Sequence, residues 1–212
     1  MNNHNPKDST INYYNDNAQA FIKQTFSLDM QLLYEPFIAS LPTTAQSQQR
    51  ILDVGCGSGR DSLYFAQLGL DVTAIDASAV FIDIARKNPN QYHIEWHQLT
   101  FKEIPYKNWQ ERFTAIWACA SLLHVPYTEL PVLIDNLIDM LSSDGIFYAS
   151  FKYGNSERLA DKRFFCDMNE ERWQAIKQKL NHDVNHVIWL TEDQRIDKNE
   201  KWFNILIKRL QT

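Results

Sequence analysis

The residues most able to do chemistry lie in and just after one stretch, Asp53-Val-Gly-Cys-Gly-Ser-Gly. The apolar run Ile51–Val54 predicts a buried strand, and three alternating glycines separate it from a helical pattern that ends at Gly69. Glycines at such a turn let backbone N–H groups approach a nucleotide-like ligand closely. Asp76 ends a second predicted strand, at the spacing that places a carboxylate beside a ribose in a βαβ unit.

The spacing of these glycines distinguishes two classes of nucleotide-binding protein. A G-x-G-x-x-G fingerprint would need a third glycine at position 60, where this chain has Arg60, and no P-loop lysine follows. The pattern G-x-G-x-G, followed by Asp76-Ala-Ser, resembles the class I S-adenosylmethionine-dependent methyltransferases. The resemblance implies S-adenosylmethionine as the cofactor and S-adenosylhomocysteine as the product. A nicotinamide-dependent oxidoreductase is the less favoured alternative because of Arg60.

The order of the predicted elements indicates one α/β domain. Five strands alternate with helices, and a helix and a hairpin follow, which predicts a Rossmann-like seven-stranded, mostly parallel sheet with helices on both faces. The resemblance implies an antiparallel last strand beside the fifth. We expect an N-terminal helical lid over residues 1–45, with residues 1–10 loose, and a core over residues 48–209. Residues 143–145 are predicted to form a turn and residues 155–161 a polar loop.

The resemblance also implies which residues hold the cofactor. Gly55 and Gly57 would lie against its methionine part, Asp53 would hold the turn or receive the ammonium group, and Asp76 would bind the ribose diol. The family often has an Asp where this chain has Thr100, so the adenine contact is expected to shift toward the backbone of Phe101. The complete predicted set is Tyr13, Asp53, Gly55, Cys56, Gly57, Arg60, Asp76, Ala77, Thr100, Phe101 and Ala118.

Three side chains are candidates for catalysis. Methyl transfer from a sulfonium is a single in-line displacement, so orientation supplies much of the rate and few catalytic residues are needed. His124 follows the fourth strand and titrates near neutral pH, which makes it the candidate general base, although it also fits a structural histidine bonded to the backbone. Tyr14 and Tyr153 are the other two candidates, each equally compatible with plain packing or a surface position.

Cationic residues are expected around the substrate end. Arg163 and Arg195 lie in late loops and could hold a carboxylate or phosphate, and Lys152 ends the fifth strand; all three also fit solvated surface positions. No Asp/Asn-Pro-Pro-Tyr motif follows the fourth strand, which argues against methylation of base amino groups. We therefore favour oxygen, sulfur or a carboxylate as the acceptor.

Composition narrows the possible partners. The formal net charge of −5 argues against a broad nucleic-acid footprint and favours a small-molecule acceptor. The polar start and the lack of a long apolar run predict no secretory leader and no membrane span, and three scattered cysteines predict a cytoplasmic protein without a metal site. A monomer or homodimer is expected. The alternatives are a tRNA or protein methyltransferase, with a basic groove of Lys23, Arg158, Lys162 and Arg163, and a non-catalytic cofactor-binding module.

Overall fold

The computed structural model describes residues 6–43, 49–88, 91–195 and 198–210. Two helices come before the first strand, and the rest of the chain alternates strands with helices before it closes in a hairpin. In chain order the elements are α1 (Pro6–Thr25), α2 (Gln31–Ala39), β1 (Arg50–Val54), α3 (Arg60–Gln67), β2 (Asp71–Asp76), α4 (Ala79–Lys87), β3 (Ile94–Gln98), β4 (Phe113–Ala118), a short 3-10 helix (Leu122–His124), α5 (Leu130–Asp139), β5 (Leu141–Lys152), β6 (Glu157–Ala160), β7 (Arg163–Cys166), α6 (Glu170–Lys177), β8 (Val184–Glu192) and β9 (Lys201–Arg209).

The main sheet of the described residues has seven strands in the order β3-β2-β1-β4-β5-β9-β8. The first five strands are parallel, and β9 runs antiparallel between β5 and β8. The predicted α/β class, the seven strands and the antiparallel last strand are confirmed. The strand order reverses between β1 and β4, and ligands of open α/β sheets bind at this switch point, beyond the carboxyl ends of the strands.

Both faces of the sheet are covered because successive residues of a strand point to opposite sides. In β1, Ile51 packs with α2, α3 and α4 on one face, through residues such as Phe37 and Phe65. Leu52 and Val54 pack on the other face with α5 and α6. Helix α4 begins where the sequence provides a cap, since the Ser78 hydroxyl accepts a hydrogen bond from the backbone N–H of Phe81. The two helical layers hold the strand ends rigidly around the switch point.

Three local predictions are wrong. Helix α1 already begins at Pro6, so residues 6–10 are helical rather than loose, while residues 1–5 lie outside the described residues. Strand β5 begins at Leu141 and includes the predicted turn at 143–145, because the chain pairs with β4 through a register shift. The predicted polar loop at 155–161 is largely strand β6, which pairs with β7 in a separate hairpin.

Helix α1 and the β6–β7 hairpin lie side by side over the strand ends. The backbone N–H of Phe164, in β7, donates to the Thr10 hydroxyl of α1 at 3.0 Å. On its other side, α1 packs against α4 through rings of Tyr14, Phe21 and Phe81. The lid predicted over residues 1–45 stays a prediction.

Candidate active site

A cavity of about 560 Å³ opens at the carboxyl ends of β1, β2, β4 and β5. The β1–α3 turn and the end of β2 form one wall, and α1 with the β6–β7 hairpin forms the opposite one. This volume lies within the usual range of small-molecule sites. Cavity-lining residues from the predicted set are Tyr14, Gly55, Cys56, Gly57, Arg60, Asp76, Ala77, Thr100, Phe101 and His124.

The β1–α3 turn brings its backbone to the cavity wall. The N–H groups of Gly55 and Cys56 both donate to the Ile75 carbonyl, at 2.8 and 3.0 Å, which anchors the turn to β2. Gly57 has φ of +54°, a conformation that costs other residues about 1 kcal/mol or more. A Cβ built on Gly57 would meet no atom within 4 Å, so open space lies directly against this part of the backbone.

Asp76 is held at the wall by backbone donors. Its carboxylate accepts from the N–H of Gly57 at 2.9 Å and from the N–H of Ser78 at 2.7 Å. Burial raises the pKa of this carboxyl, and the two hydrogen bonds partly offset the rise. A carboxylate has further lone pairs to offer, so Asp76 can also accept from a vicinal diol in the cavity.

Asp61 is the centre of a buried network beneath this wall. Its carboxylate accepts from Tyr34 Oη at 2.6 Å, Trp117 Nε1 at 2.8 Å and Arg60 Nε at 2.6 Å. Burial acts to raise the pKa of Asp61, but the Arg60 guanidinium outweighs it and holds the pKa below its usual value. From the sequence alone, Asp61 is expected only as an acid in the first turn of α3, where the helix dipole favours it. The sequence does contain a sign that Asp61 is buried. It lies four residues before Phe65, and residues with this spacing share one face of a helix, here the buried face of α3.

Tyr14 and His124 meet at the opposite wall. Tyr14 Oη lies 2.9 Å from Nε2 of His124, and Nδ1 of His124 lies 2.6 Å from the Phe164 carbonyl oxygen. A carbonyl only accepts, so Nδ1 carries the proton and Nε2 accepts from the Tyr14 hydroxyl. Burial lowers the pKa of His124 to about 4 and raises that of Tyr14. The pair is therefore neutral, with a basic nitrogen turned toward the tyrosine.

Comparison with known proteins identifies the family. The family model of a methyltransferase domain matches residues 51–145. The ubiquinone biosynthesis O-methyltransferase of Actinobacillus pleuropneumoniae serotype 5b is 31% identical over 177 residues, covering 68% of this chain and 75% of that protein. This chain belongs to the class I S-adenosylmethionine-dependent methyltransferases.

Two further comparisons concern another relative of this chain and one solved structure. The ubiquinone biosynthesis O-methyltransferase of Alkalilimnicola ehrlichii is 36% identical over 80 residues, which span 37% of this chain but only 32% of that enzyme. The 1,6-didemethyltoxoflavin-N1-methyltransferase of Burkholderia thailandensis, solved with S-adenosylhomocysteine, superposes with a TM-score of 0.69 at 17% identity. That match covers 95% of this chain and 85% of the other, and shows the shared fold. The cofactor of the methyltransferase is S-adenosylmethionine, as predicted.

Four predicted residues do not line the cavity of the methyltransferase. Asp53 is buried behind the turn, where it accepts from the Ser62 hydroxyl at 2.5 Å and so holds the turn to α3. Ala118 is fully buried one residue before the cavity wall. Tyr13 packs its ring against the Arg163 guanidinium, 4.3 Å away. Tyr153 is 43% exposed and donates to Glu170, so it lies outside the cavity, and its catalytic role stays a prediction.

Arg60 and Thr100 line the cavity with part of their polar groups already engaged. Arg60 donates from Nη2 and Nε to Asp61 and from Nη1 to the Thr25 carbonyl. The backbone N–H and the hydroxyl of Thr100 both donate to Glu103 at 2.8 Å, which fixes the bend that carries Phe101. A cofactor contact from either side chain stays a prediction.

The described residues contain no group of three or more histidine, cysteine or acidic side chains placed to hold a metal ion. Within the same ranges, no helix combines the length and the apolar character needed to cross a lipid bilayer.

Proposed function

We propose that this methyltransferase methylates a hydroxyl oxygen of a small or medium-sized acceptor. The observation that carries the proposal is the bond from Tyr14 Oη to Nε2 of His124, which provides a neutral proton acceptor at the cavity wall. A hydroxyl must lose its proton during methylation, so it gains from such a base. The names of the two O-methyltransferase relatives support oxygen as the accepting atom.

We infer that the β1–α3 turn and Asp76 hold the cofactor, because the residues fit its parts. The open space against Gly57 admits a ligand where any side chain would intrude. The carboxylate of Asp76 is half-buried and ordered by two backbone donors, and it faces the cavity where a ribose diol can donate to it. Ala77 and Phe101 would flank the adenine, next to Asp76 along the same wall.

The chain's own residues would align the acceptor and move its proton. When bound, S-adenosylmethionine supplies a methyl group on a positively charged sulfur, which becomes neutral as the methyl leaves, while the positive charge passes to the group that takes the acceptor's proton. The acceptor hydroxyl would donate to Tyr14 Oη, and Tyr14 would pass its own proton to Nε2 of His124. His124 then carries the positive charge, which its Nδ1–H shares with the Phe164 carbonyl.

The placement of the basic residues favours a small molecule over a tRNA or protein. The alternative needs Arg158 and Arg163 on an open basic groove with Lys23 and Lys162. Arg158 instead pairs with Asp167, and the Arg163 side chain is only 15% exposed; both arginines line the cavity. These two arginines therefore line the cavity, where a small acceptor would lie.

The proposal is tested with acceptors that differ only in the accepting atom. Phenol, aniline and thiophenol are incubated with the purified enzyme, and formation of S-adenosylhomocysteine is measured. We expect transfer to phenol above the other two, and loss of about 100-fold or more of kcat in His124→Gln. Calorimetric titration with S-adenosylhomocysteine serves as the control, since His124→Gln should bind it as the wild type does. Preferred transfer to aniline would contradict the proposal.

A further inference from the structure

Arg163, the first residue of β7, is a largely buried cation on the acceptor side of the cavity. Its side chain is 15% exposed, and it lines the cavity beside Tyr14. Aromatic rings surround its guanidinium, with Cζ 4.3 Å from the ring centre of Tyr13, 5.1 Å from that of Phe165 and 5.9 Å from that of Tyr14. A cation in such surroundings has lost most of its hydration.

The neighbouring cations of the cavity each have a carboxylate at close range. Lys152 donates to both oxygens of Glu200 at 2.5 Å. Arg195 donates to Asp193, whose side chain is 3% exposed. Arg158 is bonded to Asp167, whose side chain is 8% exposed. These pairs are neutral overall, so none of them requires a ligand.

The carboxylate partner of Arg163 is more distant and exposed to solvent. The carboxylate of Asp161 lies 3.4 Å from Nη2, beyond the range of a good hydrogen bond, and its side chain is 78% exposed. Nε of Arg163 is buried and has no hydrogen-bond partner among the described residues. Nε–H and the adjacent Nη2–H form the side-on fork that matches the two oxygens of a carboxylate or phosphate.

We propose that Arg163 binds an oxyanion of the methyl acceptor, a carboxylate or a phosphate, next to the hydroxyl group that Tyr14 and His124 receive. The proposal rests on the function proposed above and names its substrate class. Among the described arginines of the acceptor side, Arg163 is the one whose carboxylate partner is both distant and exposed, and a bound oxyanion would give its buried Nε–H a hydrogen-bond acceptor. The acceptor would thus carry its anionic group close to the oxygen that is methylated.

Such an oxyanion would also strengthen the base. Burial is the main cause of the low pKa of His124, and the positive charges of Arg163 and Lys152 lower it further. An anion on Arg163 would cancel one of these contributions and raise the proton affinity of His124. Acceptor binding would therefore activate the group that takes the acceptor's proton.

The test measures binding of acceptor fragments to the enzyme saturated with S-adenosylhomocysteine. Calorimetric titrations use salicylate, catechol monophosphate and salicylamide, which share a ring hydroxyl and differ in the neighbouring group. We expect the wild type to bind at least one of the two anions about tenfold or more tightly than salicylamide, and Arg163→Gln to lose that preference. The tighter of the two anions identifies the oxyanion as carboxylate or phosphate.

Two variants separate a specific site from a general charge effect. Lys198→Gln removes the same charge from an exposed residue of the cavity rim and should leave the preference unchanged. Arg163→Lys keeps the charge but not the fork, and should retain only part of it. Equal binding of salicylate, catechol monophosphate and salicylamide by the wild type, or equal losses in the two Gln variants, would overturn the proposal. Unchanged affinity for S-adenosylhomocysteine in Arg163→Gln shows that the variant is folded, and absence of that affinity in the wild type would contradict the proposed function instead.

Discussion

The two halves of the cavity keep their polar groups in place by different kinds of contact. In the cofactor half, comprising Gly55–Asp61 and Asp76–Ser78, carboxylates accept from backbone N–H groups and from side chains within the first turn of a helix. In the acceptor half, comprising α1, His124 and the β6–β7 hairpin, the bonds join residues 110 and 154 positions apart. The glycine turn and Asp76 are thus set largely by local sequence, whereas the acceptor half depends on how three distant segments pack together. We expect changes in the β6–β7 hairpin to affect the acceptor more than the cofactor, whereas α1 also contacts the cofactor half through Thr25.

The largest effect on stability is expected from the network beneath the cofactor half. Asp61→Asn keeps the shape of the side chain but leaves the Arg60 guanidinium buried without its counter-charge. We expect the free energy of unfolding, measured by urea denaturation, to fall by about 3–5 kcal/mol. Asp83→Asn, on the exposed side of α4, is the control and should change it by less than about 0.5 kcal/mol. Similar small losses in both variants would mean that the network does not stabilise this half.

In the acceptor half, His124 should make stability depend on pH. Its pKa is lowered from 6.5 to about 4 by burial, so between these values the unfolded chain binds a proton that the folded chain does not. The stabilisation is complete above pH 6.5 and is lost as the pH falls toward 4, by about 3 kcal/mol in total.

Urea denaturation of the wild type and His124→Gln across this range measures the effect. Burial raises the pKa values of Asp53 and Asp76, which act in the opposite direction in both proteins, so the difference between the two curves reports His124. Parallel curves would show that His124 is not held neutral in the folded protein.

For cofactor affinity, the two ends of β2 provide a matched pair of variants. Asp76→Asn, at the carboxyl end, should weaken binding of S-adenosylhomocysteine about 100-fold, because two charge-assisted hydrogen bonds to the ribose lose their charge. Asp71→Asn, at the other end, removes only an exposed ion pair to Arg50 at 3.7 Å and should leave the affinity unchanged. Calorimetry on both variants gives the comparison. Equal affinities of the two variants would show that Asp76 does not bind the cofactor.

Alanine substitutions at two glycines separate the effect of backbone strain from the effect of a side chain that enters the cavity. Gly57 and Gly69 both have positive φ, and a Cβ on either would meet nothing within 4 Å, but only Gly57 lines the cavity. Alanine at either position should lower the free energy of unfolding by about 1 kcal/mol. Only Gly57→Ala should also weaken S-adenosylhomocysteine binding, by about tenfold, which calorimetry can detect. Normal binding by Gly57→Ala would place the ligand elsewhere in the cavity.

The smallest effect is expected from the tyrosine outside the acceptor half. Tyr153→Phe removes a hydroxyl that donates to Glu170 at the surface, so kcat/KM should change less than about twofold. A large loss of kcat/KM would indicate that Tyr153 acts in the active site.

The same contrast explains how much was predictable from the sequence. The strand, the glycine turn and Asp76 follow one another within 26 residues, so a local pattern predicts them. The alternation of strands and helices predicts the sheet. The β6–β7 hairpin was missed because its turn, at Asp161 and Lys162, has positive φ without a glycine to mark it. Tyr14 and His124 were proposed separately, and their contact arises only when α1 reaches across the sheet ends. The weak pairing of Arg163 depends on which carboxylates bind the neighbouring cations. No local sequence pattern predicts those pairs.

The backbone of Phe164 contacts both α1 and His124. Its N–H holds α1 through Thr10, and its carbonyl accepts from His124. If His124 takes up the acceptor's proton, its hydrogen bond to that carbonyl becomes charge-assisted and roughly twice as strong. Strand β7, which holds α1 through Thr10, would then be bound to His124 most tightly just after methyl transfer, until the proton leaves. Departure of the methylated product would follow deprotonation, so that the exchange of protons with solvent sets the order in which the enzyme resets.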